Sequence, residues 1–228
     1  MVRFCKAFWE EEWEKNHEKL STIDGYVFMD GFDYTRKKVL EVGCGDLFYS
    51  HIFNFYNSPD FFIGTDISLT ALKRAKTKNK NFKLVVANAT SLPFKDNSFD
   101  EVVAIETIAL LGQDFYKALE EMKRVSKEKL TLYLTHKDIA IRIRKDTKYT
   151  DKQYCTLFHE KFGDISVFTE ENVKALLSDI GLKPEIINPI TEGDEFKIRR
   201  HFSSCHYYEQ CPEDPTLKTR IFVKATKK

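Results

Sequence analysis

Residues able to grip a small polar ligand close several short apolar runs of this chain. Val39-Leu40-Glu41-Val42 runs into Gly43-Cys44-Gly45. Two glycines one residue apart let backbone come close to a ligand, because no Cβ stands in the way. Phe61-Phe62-Ile63-Gly64-Thr65-Asp66 ends in a carboxylate, 21 residues beyond Gly45. A carboxylate there can accept hydrogen bonds from both hydroxyls of a ribose; the plainer reading is a helix cap or an exposed turn acid. Phe82 to Ala87 ends at Asn88-Ala89, where an amide side chain can meet a purine edge or merely make a turn. Phe99 to Ile105 ends at Glu106-Thr107. Glu41, inside an apolar run, needs a cationic ligand or backbone donors, because burying a lone carboxylate is costly.

The same residues exclude other chemistries. In a dinucleotide site a third glycine lets helix and strand pack closely. Phe48 stands at that place and is too bulky for it. No Gly-Lys-Ser/Thr follows the turn, so it is no phosphate-binding P-loop. Cys5, Cys44, Cys155, Cys205 and Cys211 form no CxxC pair. Neither a zinc site nor a disulfide framework is indicated, and no metal site is expected. Candidate acid or base groups are Glu106, His136, His159, His201 and His206. His136 follows the fifth apolar run and is the best placed of these for catalysis; its plainer reading is structural.

Something must hold these residues at one edge. Apolar runs at 39–42, 61–66, 82–87, 99–105 and 130–135 read as strands. Helices separate them: 49–55, one beginning after Ser68 through Leu69, Leu72, Ala75 and Lys76, and 113–126. Strict β-α alternation implies a parallel sheet covered on both faces, with ligands outside the carboxyl ends of its strands. Thr169 reads as the cap of a further helix that ends at Gly181. Strands at 182–187 and 220–225 follow, with a connection too short for a crossover helix, so this last pair is expected to run antiparallel. Residues 8–20 read as an amphipathic helix carrying Phe8, Trp9, Trp13 and Leu20, either a packing cap or a lid over a ligand. Residues 137–167 break the alternation. That stretch is basic (Arg142, Arg144, Lys145, Lys148, Lys152) and aromatic (Tyr149, Tyr154, Phe158, Phe162), and reads as a substrate-side insertion or a solvated loop.

The 228 residues suit one α/β domain, with residues 1–35 as an N-terminal helical cap. With 36 basic and 35 acidic residues the net charge is +1, so there is no global polyanion-binding signature. A small-molecule partner is therefore favoured over nucleic acid. No long uncharged apolar run is present, so no membrane partner is expected, and the expectation is a soluble cytoplasmic protein.

Residues Val39 to about Thr135 resemble the class I S-adenosylmethionine-dependent methyltransferases, specifically the type 11 methyltransferase domain. Val39-Leu40-Glu41-Val42-Gly43-Cys44-Gly45 is similar to that family's first motif. Gly64-Thr65-Asp66-Ile67-Ser68 is similar to its ribose-binding segment. Ala87-Asn88-Ala89, Leu92-Pro93-Phe94 and Ser98-Phe99-Asp100 are similar to its adenine-side motif and fourth strand. Two positions depart from the pattern: Leu47 stands at the third glycine of ExGxGxG, and Asn88 replaces an Asp. The resemblance implies a Rossmann-like, doubly wound, seven-stranded α/β sheet, mostly parallel with a C-terminal antiparallel strand. It implies S-adenosyl-L-methionine as cofactor, with the methionyl end near Glu41 and Gly43. The ribose would lie on Asp66, the adenine near Ile67, Asn88 and Ala89, and Gly45 and Glu106 would complete the site. No Asn/Asp-Pro-Pro-Tyr/Phe tetrad follows the fourth strand, which argues against methylation of exocyclic base nitrogens or glutamine. RNA or protein methylation, and a non-catalytic partner subunit, stay open beside a small-molecule acceptor.

Overall fold

A computed structural model describes residues 6–15, 34–47, 59–78, 82–138, 149–150, 155–159, 163–191, 216 and 218–227. The expected helix at 49–55, Phe48, Leu20, His201 and His206 lie outside the described residues.

The central strand is β1 (Lys38–Val42), buried from Val39 onward. Leu40 and Val42 enter one apolar cluster and Val39 the other. That alternation follows from successive side chains pointing to opposite faces of a sheet. β2 (Phe61–Asp66) and β4 (Phe99–Ile105) flank β1, both parallel to it. β3 (Lys83–Val86) adds to β2, and β5 (Ser126–Thr135) to β4, again in parallel. β10 (Lys218–Lys227) lies antiparallel between β5 and β9 (Leu182–Thr191). The sheet order is β3-β2-β1-β4-β5-β10-β9. Pro184 and Pro189 fall in β9, an edge strand, where a missing N–H costs no ladder bond on the open side. The doubly wound sheet with one antiparallel strand is thus as expected.

Helices cover both faces. On one side α3 (Phe115–Val125) buries Phe115, Ala118, Leu119, Met122 and Val125, a stripe at helical spacing. A 3-10 segment (Ile108–Asp114) leads into it. α4 (Glu170–Asp179) packs Val173, Leu176 and Leu177 into the same cluster. On the other side α2 (Leu69–Lys78) sets Leu72 and Ala75 against Phe62 and Phe82. α1 (Lys6–Lys15) covers the described part of the pattern at 8–20.

The stretch 137–167 holds structure that the sequence reading does not assign. It holds three short strands, β6 (Tyr149–Thr150), β7 (Cys155–His159) and β8 (Gly163–Val167), in an antiparallel sheet of their own. His159 belongs to β7. The end of the stretch is core: Ser166 and Val167 are buried, and Phe168 beyond them meets Phe115 edge-on at 5.5 Å.

Thr169 caps α4 as expected. Its hydroxyl accepts from the Asn172 amide (3.2 Å), and the Asn172 side chain returns the bond to the Thr169 amide (3.3 Å). Gly181 follows the helix with φ +69, the left-handed residue that closes it. Thr169→Ala is expected to lower unfolding free energy by about 1 kcal/mol, read as a shifted urea midpoint at unchanged slope.

Candidate functional site

The residues singled out from sequence meet at the carboxyl ends of β1 to β5. The turn after β1 uses left-handed backbone at Gly43 (φ +72), Gly45 (φ +53) and Leu47 (φ +64). Leu47 holds a left-handed conformation despite its side chain; its burial on Phe62, Leu72 and neighbours offsets a cost of roughly 1–2 kcal/mol. The Gly43 and Cys44 amides donate to the Thr65 carbonyl (2.7 and 2.9 Å), and the Leu47 amide to the Cys44 carbonyl (2.9 Å). The amides of Gly43, Cys44 and Leu47 are therefore spent inside the protein. What it offers a ligand is carbonyl oxygen and the buried Glu41 carboxylate, an acceptor-rich end suited to an ammonium group.

Asp66 joins the two halves of the site. One carboxylate oxygen accepts from the Gly45 amide and the other from the Ser68 amide, each at 2.9 Å. Burial nevertheless raises its pKa to about 6, and the nearby Glu10 charge adds to the rise. The Ala87 amide donates to the Asp66 carbonyl at 2.9 Å, which brings Asn88 and Ala89 alongside. Ala89 is buried; Ile67 is half-buried; Asn88 is exposed, and its side-chain oxygen accepts from the Thr90 amide and hydroxyl (3.0 Å each). Asn88 thus makes an Asx-type turn, as one of its two readings expected. The Cys44 thiol is pushed well up in pKa by burial and by the charges of Glu41 and Asp66, so it is no nucleophile at neutral pH.

Thr107, Trp13 and Glu10 pack around the turn, and of these Glu10 has no local signal in the sequence. Thr107 donates its hydroxyl among the carbonyls of Val42 (3.0 Å), Gly43 (3.3 Å) and Ile105 (3.2 Å). Gly43 is glycine because of it: a Cβ there would stand 2.8 Å from the Thr107 Cβ and nearer still to its branches. Trp13 of α1 lies on the other side of the turn, its ring edge 2.8 Å from where a Gly45 Cβ would stand, with the Arg74 guanidinium 5.9 Å from the ring centroid. Glu10, one turn earlier on α1, accepts from the Ser68 hydroxyl (2.9 Å) and from the amides of Leu69 (2.7 Å) and Thr70 (2.9 Å). Those bonds outweigh the effect of burial and hold the Glu10 pKa at about 2. A helix N-terminus favours an anion through its unpaired amides and its dipole. Glu10 therefore docks α1 on the start of α2, beside Asp66.

The ends of β4 and β5 are charged. Glu106 directly follows β4 with φ +56, and its carboxylate pairs with the Arg220 Nε of β10. His136, at the end of β5, is buried. Its Nδ1 accepts from the Asp138 amide (3.1 Å), which leaves the proton on Nε2, facing a Glu170 oxygen at 3.2 Å. Lys218 holds the other Glu170 oxygen at 2.6 Å. Burial alone would raise the Glu170 pKa, but these partners hold it at about 2. Both His136 ring nitrogens serve protein partners, Nε2 reaching Glu170 at the start of α4 and Nδ1 the nearby Asp138 amide. Among the described residues no cluster of His, Cys, Asp and Glu could hold a metal ion.

Comparison with known proteins agrees with this geometry. The sequence profile of a family described as methyltransferase domain matches residues 40–134. The uncharacterized protein MJ0638 of Methanocaldococcus jannaschii is 37% identical over 106 residues, which are 46% of this chain and 43% of that protein. The chain thus spans less than half the length of that relative. A chain from the complex containing the Haloferax volcanii Trm112 methyltransferase activator superposes with a TM-score of 0.69 at 14% identity, over 99% of this chain and 98% of that one. A Burkholderia thailandensis 1,6-didemethyltoxoflavin-N1-methyltransferase, solved with its acceptor and S-adenosylhomocysteine, gives 0.66 at 10% identity, over 97% and 86%. Residues 40–134 of this chain thus resemble a methyltransferase domain, and the fold that carries them is shared with these solved structures.

Proposed function

We propose that the chain is an S-adenosyl-L-methionine-dependent methyltransferase acting on a small-molecule acceptor. One observation carries the reading: the Gly45 amide and the Asp66 carboxylate meet at 2.9 Å, joining an acceptor-rich turn to a ribose-type carboxylate. Glu41 and the Gly43 carbonyl would take the ammonium end of the cofactor, Asp66 its ribose, and Ile67, Asn88 and Ala89 its base. When bound, the cofactor supplies an electrophilic methyl group on a sulfonium. The chain then has to align an acceptor and exclude water. Glu106 and His136 stand at the acceptor side, and Trp13 covers the turn. The Burkholderia enzyme, of the same fold, is a 1,6-didemethyltoxoflavin-N1-methyltransferase, and the balanced charge of this chain suits a small-molecule partner better than RNA. Titration calorimetry with S-adenosylhomocysteine is expected to show binding that Asp66→Ala weakens at least about tenfold, the size of one charge-assisted bond. Equal affinity in the mutant removes the assignment. A donor-labelled screen of metabolites and RNA then identifies the acceptor class.

Of the two readings of α1, the packing of Trp13 on Gly45 favours a lid. Trp13→Ala should weaken S-adenosylhomocysteine roughly three- to tenfold, as expected for one aromatic contact. The chain has two tryptophans, Trp9 and Trp13. A fluorescence change on ligand addition should therefore persist in Trp9→Phe and vanish in Trp13→Phe.

A second reading has its own observation. The Haloferax structure is a complex with an activator subunit. If this chain also needs a partner, the isolated protein will bind cofactor weakly, and a co-purified partner will restore binding.

A further inference from the structure

The last strand holds an irregularity that the proposed function leaves unused. Lys218 of β10 stands opposite Thr191, and Arg220 opposite Ile190. Two residues of one strand thus advance while its partner advances one, which is a β-bulge. In a regular strand, residues two apart point the same way. The extra residue reverses this, and bulges recur beside active sites because they re-aim a side chain. Lys218 accordingly reaches Glu170 on the α4 side. Arg220 goes to the opposite face, with Ile190 and Tyr133, its guanidinium 6.0 Å from the Tyr133 ring centroid, and pairs with Glu106.

Glu106 needs such an anchor. Its φ of +56 is left-handed, a conformation that a residue with a Cβ keeps only where its surroundings impose it. That backbone conformation sets the direction of the next residue, Thr107, whose hydroxyl closes the Gly43 turn. The chain of contact runs from Arg220 through Glu106 and Thr107 to the carbonyls of Val42 and Gly43.

We propose that Arg220 is a positioning residue for the cofactor cradle: the bulge in β10 aims it at Glu106, and the pair keeps Thr107 seated on the glycine turn. This rests on reading the turn as the S-adenosylmethionine site.

The test uses the full chain and two readouts. The first is S-adenosylhomocysteine affinity by calorimetry. Arg220→Gln should weaken it about tenfold, and Arg220→Lys, which keeps a cation for Glu106, should recover part of the loss. Thr107→Val should weaken it similarly, and the double variant no more than either alone, since both break one linkage. Lys218→Gln, on the other face of the bulge, should stay within twofold of wild type. The second readout is hydrogen exchange of the amides at 43–47 in the ligand-free protein. Exchange should quicken in Arg220→Gln and Thr107→Val and not in Lys218→Gln. Wild-type exchange and affinity in Arg220→Gln overturn the proposal, as does equal disturbance by Lys218→Gln. If wild type does not bind S-adenosylhomocysteine, the assignment of the turn fails, and the exchange measurement still decides whether Arg220 holds it. If Arg220→Gln does not fold, Arg220→Lys and Thr107→Val carry both readouts.

Discussion

Gly43→Ala is expected to destabilise the protein by roughly 2–5 kcal/mol and to abolish measurable S-adenosylhomocysteine binding. Two costs add. Alanine at φ +72 pays the left-handed steric penalty, about 1–2 kcal/mol. The new methyl group also overlaps Thr107, whose Cβ would lie 2.8 Å away, and overpacking of this kind typically costs about 1–3 kcal/mol. Thr107 cannot retreat without losing its bonds to Val42 and Gly43. Urea unfolding measures the first effect and calorimetry the second. Thr107→Ala in the Gly43→Ala background should return part of the stability, because it removes the overlaps with Oγ1 and Cγ2 and leaves the 2.8 Å Cβ contact and the backbone strain. No recovery in the double variant would show that the cost lies in the backbone and that Cβ contact.

The second large effect is a pH dependence centred on Asp66. Its carboxyl has a folded pKa of about 6 against a reference value of 3.8, mainly from burial. A raised folded value means that the native state holds the proton more tightly than the unfolded chain. The stability from this group is fully present below about pH 4 and is lost as pH rises through 6. Glu10 works in the opposite sense and at lower pH. Its folded pKa is about 2 against 4.5, so its contribution is present above pH 4.5 and lost as pH falls towards 2. Unfolding free energy should therefore decline between pH 4 and 6 in wild type, and Asp66→Asn should flatten that decline.

Ligand affinity should move the other way. Ribose hydroxyls donate best to an ionised carboxylate. A pKa near 6 makes the ionised fraction, and with it S-adenosylhomocysteine affinity, rise about tenfold from pH 5 to pH 7. Calorimetry at pH 5, 6 and 7 measures the slope. Asp66→Asn should bind weakly at every pH with no slope. A flat profile in wild type would separate Asp66 from the ligand.

Most of the sheet could be read from the chain. β2 and β4 fall on the predicted boundaries, and Thr169 and Gly181 bound α4 as expected. These features are local. A buried parallel strand needs a continuous apolar run, and a cap needs a particular side chain within a few residues. Gly43, Gly45 and Asp66 were legible for the same reason, since a strand, a tight turn and a strand-end carboxylate each leave a short pattern.

What sequence by itself determined is the type of site and the edge of the sheet that carries it. What only the tertiary structure decided is how that site is closed. Glu10 lies 58 residues from Ser68, and Arg220 lies 114 from Glu106. No periodicity links such positions; the sheet order and a single extra residue in β10 bring them together. Leu47 shows the same division. Its type breaks the glycine pattern, yet its backbone keeps the left-handed turn, because burial of its side chain offsets the strain. Local chemistry names the groups that can touch a ligand, and long-range packing sets the conformation in which they do so.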